Sequence, residues 1–346
     1  MSKISIIIPL FDRHDFTERI LSYYELNKVE YPFYIADGSK KKIFNQKFLK
    51  KKFPNIKIIY KSFPYDKNFR LFNKKMLKVV ESIKSEYVYQ IANDDFFNPS
   101  FLKQSELFLN KNKTYTFVGG KVRNFRVIQP FKNVNDFGFF YLMEAIQYSH
   151  YKNVYKSIKS ESKINRVGNF LSSLTYECLI KKSTYLEIWK SAYKFKITDS
   201  FELNWFMSII PLIRGKKHFI NMTSTLRQCN THEGLGLTEM LHLGAKRERY
   251  LNFLTFLKDQ NILTSKSIIE KLIKVKNTSL DIIDPSSLSG KKLHFKKKWF
   301  PIYHSIKSNI RIINFYLFYI FFLFNKNKYK RLFSEIKTHF DDKKNI

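Results

Sequence analysis

Glu86 to Phe97, EYVYQIANDDFF, is the stretch on which the reading of this chain turns. Tyr87 to Ala92 is a short apolar run of strand type. Val88 and Ile91 favour extended backbone, and a run apolar on both faces suits a strand covered by helices on each side. At its C-terminal end two adjacent carboxylates, Asp94 and Asp95, stand beside an amide, Asn93. In open α/β sheets, ligands bind outside the carboxyl ends of the strands. Paired carboxylates there are hard oxygen ligands for Mg²⁺ or Mn²⁺, which in turn neutralise a diphosphate. Taken alone, the triplet reads first as a solvated turn closing a strand.

The N-terminus changes that balance. Lys3 to Pro9, KISIIIP, reads as a strand of Ile4, Ile6, Ile7 and Ile8 stopped by Pro9. A polar loop with Asp12, Arg13 and Asp15 leads into FTERILSYYEL, where Phe16, Ile20, Leu21 and Tyr24 fall at helical spacing. Thr17 or Asp15 is the expected cap, and Glu18 is favoured in the first turn by the helix dipole. A second strand, Tyr31 to Ala36, ends at Asp37-Gly38-Ser39. A third, Ile56 to Tyr60, precedes a helix from about Asn73 to Ser82. This alternation predicts an α/β fold with a parallel sheet. Three strands then deliver Asp12, Asp37 and Asp94/Asp95 to one sheet edge.

ISIIIPLFDR, then ADGS, then ANDDFFNPSFL resembles the opening of the GT-A glycosyltransferases, in particular glycosyltransferase family 2, over roughly the first two-thirds of the chain. The resemblance implies a GT-A, Rossmann-like, mostly parallel sheet flanked by helices, with a C-terminal helical extension. It implies a catalytic domain over 1–232, divided into a nucleotide-sugar half of about 1–120 and an acceptor half of about 121–232. Pro9, Asp12, Arg13, Asp37, Gly38 and Ser39 would cradle the donor nucleotide. Asn68, Arg70, Asn93 and Asp94 would contact the donor, and Asp95 would be the direct ligand of a Mg or Mn divalent cation. The family's first acid of the triplet is Asn93 here: an amide suffices if that position only hydrogen-bonds the donor's ribose, whereas if it also supports the metal the departure implies weak ion binding or none. Asp12 is also read as a helix N-terminal acid, Asp37 as a turn-former, and Arg70 as a solvated base.

Roughly a hundred residues later, ITDSFELN (Ile197 to Asn204) sets Asp199 before a helix, Ser200 to Ile210, with Phe201, Trp205 and Met207 or Ile209 at core spacing. Asp199 has two readings. One is an N-cap. The other, implied by the resemblance, is the general base that takes the acceptor hydroxyl proton in an inverting transfer, with Glu202 in reserve. Gly215 to Ile220 reads as a turn into a short strand. The segment after it, Thr223 to Gly234, offers Arg227 to stabilise the leaving diphosphate and His232 to complete a metal shell or bond a phosphate.

Lys+Arg 62 against Asp+Glu 29 gives a net charge of +33, a field that attracts anions. Cys178 and Cys229 lie far apart without metal spacing, consistent with a reduced, cytosolic setting. Leu235 to Ile273 has helical period, with Leu241, Leu251, Leu254 and Leu257 as expected buried positions. The remainder, 233–346, is basic and helical in character. Its run Ile310 to Phe324, IRIINFYLFYIFFLF, is shorter than the ~20 residues needed to span a bilayer. Basic flanks suit a helix lying in an anionic membrane interface, and the competing reading is a docked core helix. FGFFYLMEAIQYSHYKNVY, within about 131–165, is expected to form a lid or an interfacial helix. The expected partners are a nucleotide-sugar donor, a glycan or lipid-linked acceptor of a bacterial surface, and an anionic membrane surface, with the protein cytoplasmic and peripheral on the inner face of the cytoplasmic membrane. Nucleic acid is not among them, because acids gathered at three strand ends repel a polyanion. A nucleotidyltransferase would carry a Gly-rich phosphate loop where Pro9 to Asp15 has no Gly. A non-catalytic family member is the remaining alternative.

Overall fold

The computed structural model describes residues 2–128, 139–143, 156–169, 177–228, 243–270, 272–273 and 337. In chain order the first elements are β1 (Ile4–Leu10), α1 (His14–Leu26), β2 (Phe33–Asp37), α2 (Gln46–Lys52), β3 (Ile58–Ser62), α3 (Phe69–Ser82) and β4 (Tyr87–Gln90). Then come β5 (Phe96–Phe97), α4 (Pro99–Lys111), β6 (Tyr115–Ile128), β7 (Phe139–Met143), α5 (Lys163–Val167) and β8 (Cys178–Lys181). The last are α6 (Lys182–Phe195), α7 (Ser200–Arg214), β9 (Lys216–Gln228) and α8 (Leu243–Asp259). Among the described residues the strands make one nine-stranded sheet in the order β3-β2-β1-β4-β8-β6-β9-β5, with β7 beside β6. β3, β2, β1 and β4 pair in parallel, while β8 is antiparallel to both β4 and β6.

Strand alternation explains why both faces are covered. Ile4, Ile6, Ile8 and Leu10 of β1 enter one core with α1 and α4, whereas Ile7 enters the other with α3, α6, α7 and α8. Tyr87 and Tyr89 follow the first pattern and Val88 the second. The two apolar clusters thus lie on opposite faces of one α/β/α sandwich, the expected fold class. α8 packs on α7 through Trp205–Tyr250 and Phe206–Phe253 ring contacts at 5.1 and 4.7 Å.

Several local expectations are corrected. β1 runs through Pro9 to Leu10, because a missing N–H so near the strand end forfeits little. α1 is entered at Arg13 without a side-chain cap; Thr17 Oγ1 instead donates to Arg13 O at 3.2 Å. β3 begins at Ile58, and α3 begins at Phe69 because the Asn68 side chain accepts from Leu71 N–H and nucleates an earlier turn. α2 was not anticipated; Asn45 caps it in the same way. β9 is thirteen residues long, so Thr223 to Gln228 is strand rather than the segment following one. Leu251 is exposed, and α8 packs instead through Tyr250, Phe253, Leu254 and Leu257. Within the stretch expected to form a lid or helix, Phe139–Met143 forms β7 against β6. The run 310–324 lies outside the described residues, as do Leu241 and Cys229. Among the described residues, no helix is long and apolar enough to cross a membrane.

Candidate active site at the carboxyl edge of the sheet

The chain leaves β1 for β2 on one side and reaches β4 on the other, so the carboxyl ends of β1 and β4 border a topological switch point, where such sheets open a crevice. Arg13, at the end of β1, donates to Asp94 Oδ2 at 2.9 Å across that gap, and Asn93 Nδ2 donates to Arg13 O at 3.2 Å. The β1 and β2 loops are also stitched together. Asp12 N–H donates to Ser39 Oγ at 2.9 Å, and Lys40 N–H donates to Asp12 Oδ1 at 2.7 Å. Asp12 has φ 50, a left-handed conformation that Asp tolerates better than most residues. Asp12, Arg13, Asp37, Gly38, Ser39, Asn93, Asp94 and Asp95 are therefore gathered at one edge, as the sequence predicts.

Asp37 is fully buried. Its Oδ1 accepts from Ser39 N–H at 2.8 Å, its Oδ2 accepts from Tyr60 Oη at 2.7 Å, and Lys42 Nζ lies 3.4 Å away. Burial pushes its pKa up, but the Ser39 and Tyr60 hydrogen bonds and Lys42 outweigh that and hold it below the ordinary value. His14 is buried in the first turn of α1, and its Nε2, which forms no hydrogen bond, lies 3.6 Å from Asp37 Oδ2. Gly38 is required by close approach, since a Cβ there would collide with the Asp66 carboxylate. Asp66 is buried under the loop and ion-paired to Lys75 of α3, whose Nζ also donates to Leu10 O at 3.2 Å. Lys75→Met is expected to cost about 3 kcal/mol, because it strands a buried carboxylate without a counter-charge. Chemical denaturation measures this, and Lys75→Met/Asp66→Asn should recover most of the loss.

Asp95 is buried, and its Oδ1 accepts from Gln228 N–H at 2.8 Å, which ties β4's end to β9. Desolvation first, and the charge of Asp94 second, push its pKa well above the ordinary value, against the pull of Arg227 and the Gln228 N–H. Arg19, from the buried face of α1, reaches Asp94 O at 3.0 Å and Gln228 Oε1 at 2.6 Å. Arg227 is paired with Glu177, its Nε 2.9 Å from Oε1. His232 lies outside the described residues. Asn68 is occupied as the α3 cap, and Arg70 lines a cavity of about 310 Å³ with Lys67, Asn68, Leu71, Lys74 and Tyr193.

α7 ends where β6 and β9 begin, with Gly215 packed against Thr116. A helix returning antiparallel to β9 presents its N-terminus, and Asp199, toward the carboxyl edge. Asp199 is the N-cap: its Oδ1 accepts from Glu202 N–H at 2.8 Å. Glu202 is buried, accepts from Thr198 N–H at 2.9 Å, and is gripped by Arg249 of α8 at 2.7 and 2.9 Å. Both Glu202 oxygens are thus engaged in holding α7 and α8.

Sequence reasoning missed Arg19, His14, Tyr60, Asp66, Lys75 and Glu177. For Arg19 and Lys75 a signal existed. Each falls on the apolar side of its helix, beside Phe16–Ile20 and Phe72–Met76, where a cation without a partner is costly.

The doubly wound N-terminal half, the antiparallel β8 and the carboxylate edge make this a GT-A fold. Among solved structures, it is similar to S. aureus TarS 1-349 in complex with UDP-GlcNAc, with TM-score 0.51 and 11% identity over 79% of this chain and 72% of that one. A longer TarS structure aligns at TM-score 0.41 and 12% identity over 66% of this chain, which spans only 37% of that chain's length. The likeness is one of fold. No family model and no curated protein matches the chain.

Proposed function

We propose that this chain is a glycosyltransferase that moves a sugar from a nucleotide-sugar donor to a hydroxyl of a surface glycan or lipid-linked acceptor, with inversion at the anomeric carbon. The observation that carries the reading is the convergence of Asp12, Asp37 and Asp94/Asp95 from three parallel strands, bridged by the Arg13–Asp94 pair at the switch point. The UDP-GlcNAc complex of TarS, on a similar fold, supports a nucleotide-sugar donor. Phe11 and Tyr65 stack with ring centroids 5.5 Å apart at the end of β1 and in the loop after β3. Their flat faces suit a nucleobase.

Asp94 and Asp95 fit a divalent cation of the Mg²⁺ or Mn²⁺ kind. Such ions use one or two carboxylates, keep several waters and take substrate phosphates as further ligands. Among the described residues no group of three or more His, Cys, Asp or Glu side chains that could hold a metal ion forms. Asp95 would hold the ion while Asp94 stays with Arg13. When bound, the cation would neutralise charge on the departing diphosphate. Arg227, close enough to Asp95 to lower its pKa, would add to that neutralisation. Asp199 would accept the acceptor's hydroxyl proton.

Thermal-shift screening of nucleotide sugars, with and without Mn²⁺, tests the donor half. A ligand at a hundred times its Kd stabilises the native state by about 2.7 kcal/mol. One nucleotide family should therefore raise Tm in the parent, more so with Mn²⁺, and fail to do so in Asp37→Ala. No shift with any nucleotide sugar would reject the reading.

A further inference from the structure

Between Lys40 and Lys57 the chain carries eight lysines and no Asp or Glu. Lys42 pairs with Asp37 and Lys52 with Glu18. The other six, Lys40, Lys41, Lys47, Lys50, Lys51 and Lys57, are exposed and form no ion pair among the described residues. Leu49 is the buried residue of α2 and Gln46 is turned to β3, donating to Ile58 O at 2.8 Å, while Lys47, Lys50 and Lys51 face outward. Two large apolar side chains stand among these cations: Ile43 is 54% and Phe48 39% exposed. Phe48 is held by stacking on Phe44 at 5.9 Å, and Phe44 in turn is buried against His14. The face begins one residue after Ser39, at Lys40, whose N–H binds Asp12.

We infer that the Lys40–Lys57 face is a docking surface for a bilayer rich in anionic lipid, with Phe48 and Ile43 seated at the level of the headgroups. Charge complementarity selects an anionic partner, since six uncompensated lysines repel one another until phosphates lie between them. Phe48 and Ile43, exposed among these lysines, select a lipid interface over a soluble polyanion, which offers no apolar phase for them. This inference stands apart from the glycosyl-transfer reading. Its consequence is to set the mouth of the carboxylate crevice beside the membrane surface.

Flotation of the full chain with vesicles of equal parts phosphatidylglycerol and phosphatidylcholine, against pure phosphatidylcholine, provides the test. Losing a lysine from such a contact weakens binding about fivefold, so Lys47→Gln/Lys50→Gln/Lys51→Gln should weaken anionic-vesicle binding roughly a hundredfold. These side chains are exposed, so the variant should keep the parent's Tm. Because residues 310–324 remain intact in it, a second reporter isolates this face. Phe48→Trp should show emission quenched by brominated acyl chains, over and above the parent, on anionic vesicles alone. Parent-like vesicle binding by the triple variant, or an unquenched Trp at position 48, overturns the inference. So does loss of binding to inorganic polyphosphate with vesicle binding unchanged, which would make the face a site for a soluble polyanion.

Discussion

Asp95→Asn is expected to lower turnover about a thousandfold or more while making the folded protein more stable. The first effect follows from the role proposed for Asp95: a cation that stabilises transition-state charge is worth several kcal/mol, and each 1.36 kcal/mol is about tenfold in rate. The second follows from the geometry of the free protein. Asp95 is buried beside Asp94, and its carboxyl is pushed well above the ordinary range by burial first and by that neighbour second. The folded state therefore holds the Asp95 proton more tightly than the unfolded chain does. Between the unfolded pKa and the raised folded pKa, stability falls as pH rises, and near neutrality the ionised group is a net cost. Asparagine keeps an oxygen to accept the Gln228 N–H and removes the charge. A rise in Tm is expected, with a weaker gain in stability on acidification than the parent shows. Steady-state turnover with Mn²⁺ and thermal melts across pH measure both effects. A variant that turns over normally, or that melts below the parent at neutral pH, would remove Asp95 from the role given to it.

Asp199→Asn is expected to lower turnover by about 10²- to 10⁴-fold, the range for loss of a general base, with donor affinity and Tm unchanged. The choice of asparagine matters because Asp199 already has a structural task. Its Oδ1 caps α7 by accepting from Glu202 N–H at 2.8 Å. Asn caps a helix about as well as Asp, whereas Ala would cost about 1 kcal/mol and mix the two effects. Asparagine therefore separates the cap from the base. Full turnover in this variant would leave Asp199 as a cap only. Loss of turnover with unchanged melting and unchanged donor binding would support proton abstraction. Glu202 is the contrasting case. Neutralising it leaves Arg249 without its carboxylate, so a fall in Tm is expected before any question of chemistry arises.

Much of the N-terminal half of the sheet was legible in the sequence because its signals are local. KISIIIP and EYVYQIA announce strands by their apolar runs, and D-G-S and N-D-D announce where those strands stop. A turn closes within a few residues and requires particular side chains. The later strands and helices were less legible. ITDSFELN placed the α7 cap, but β9 extends well past its expected end, since a strand continues as long as a neighbour supplies hydrogen bonds. β6 supplies them as far as Phe125–Gln228. Leu251 failed as a core position for a related reason: helical period leaves several faces open, and the one buried is chosen by α7.

By itself, then, the sequence determined that strands would alternate with helices and that acids would terminate three of those strands. Backbone preference and side-chain chemistry act over a few residues, and that is enough for such features. Tertiary structure alone decided which charges meet: Arg19 with Gln228, Arg227 with Glu177, Lys75 with Asp66 beneath Gly38, and Glu202 with Arg249. Those pairs join residues up to 209 positions apart. Their energies depend on burial and on separations of a few ångströms, quantities that come into existence only when the sheet has formed and its helices have packed.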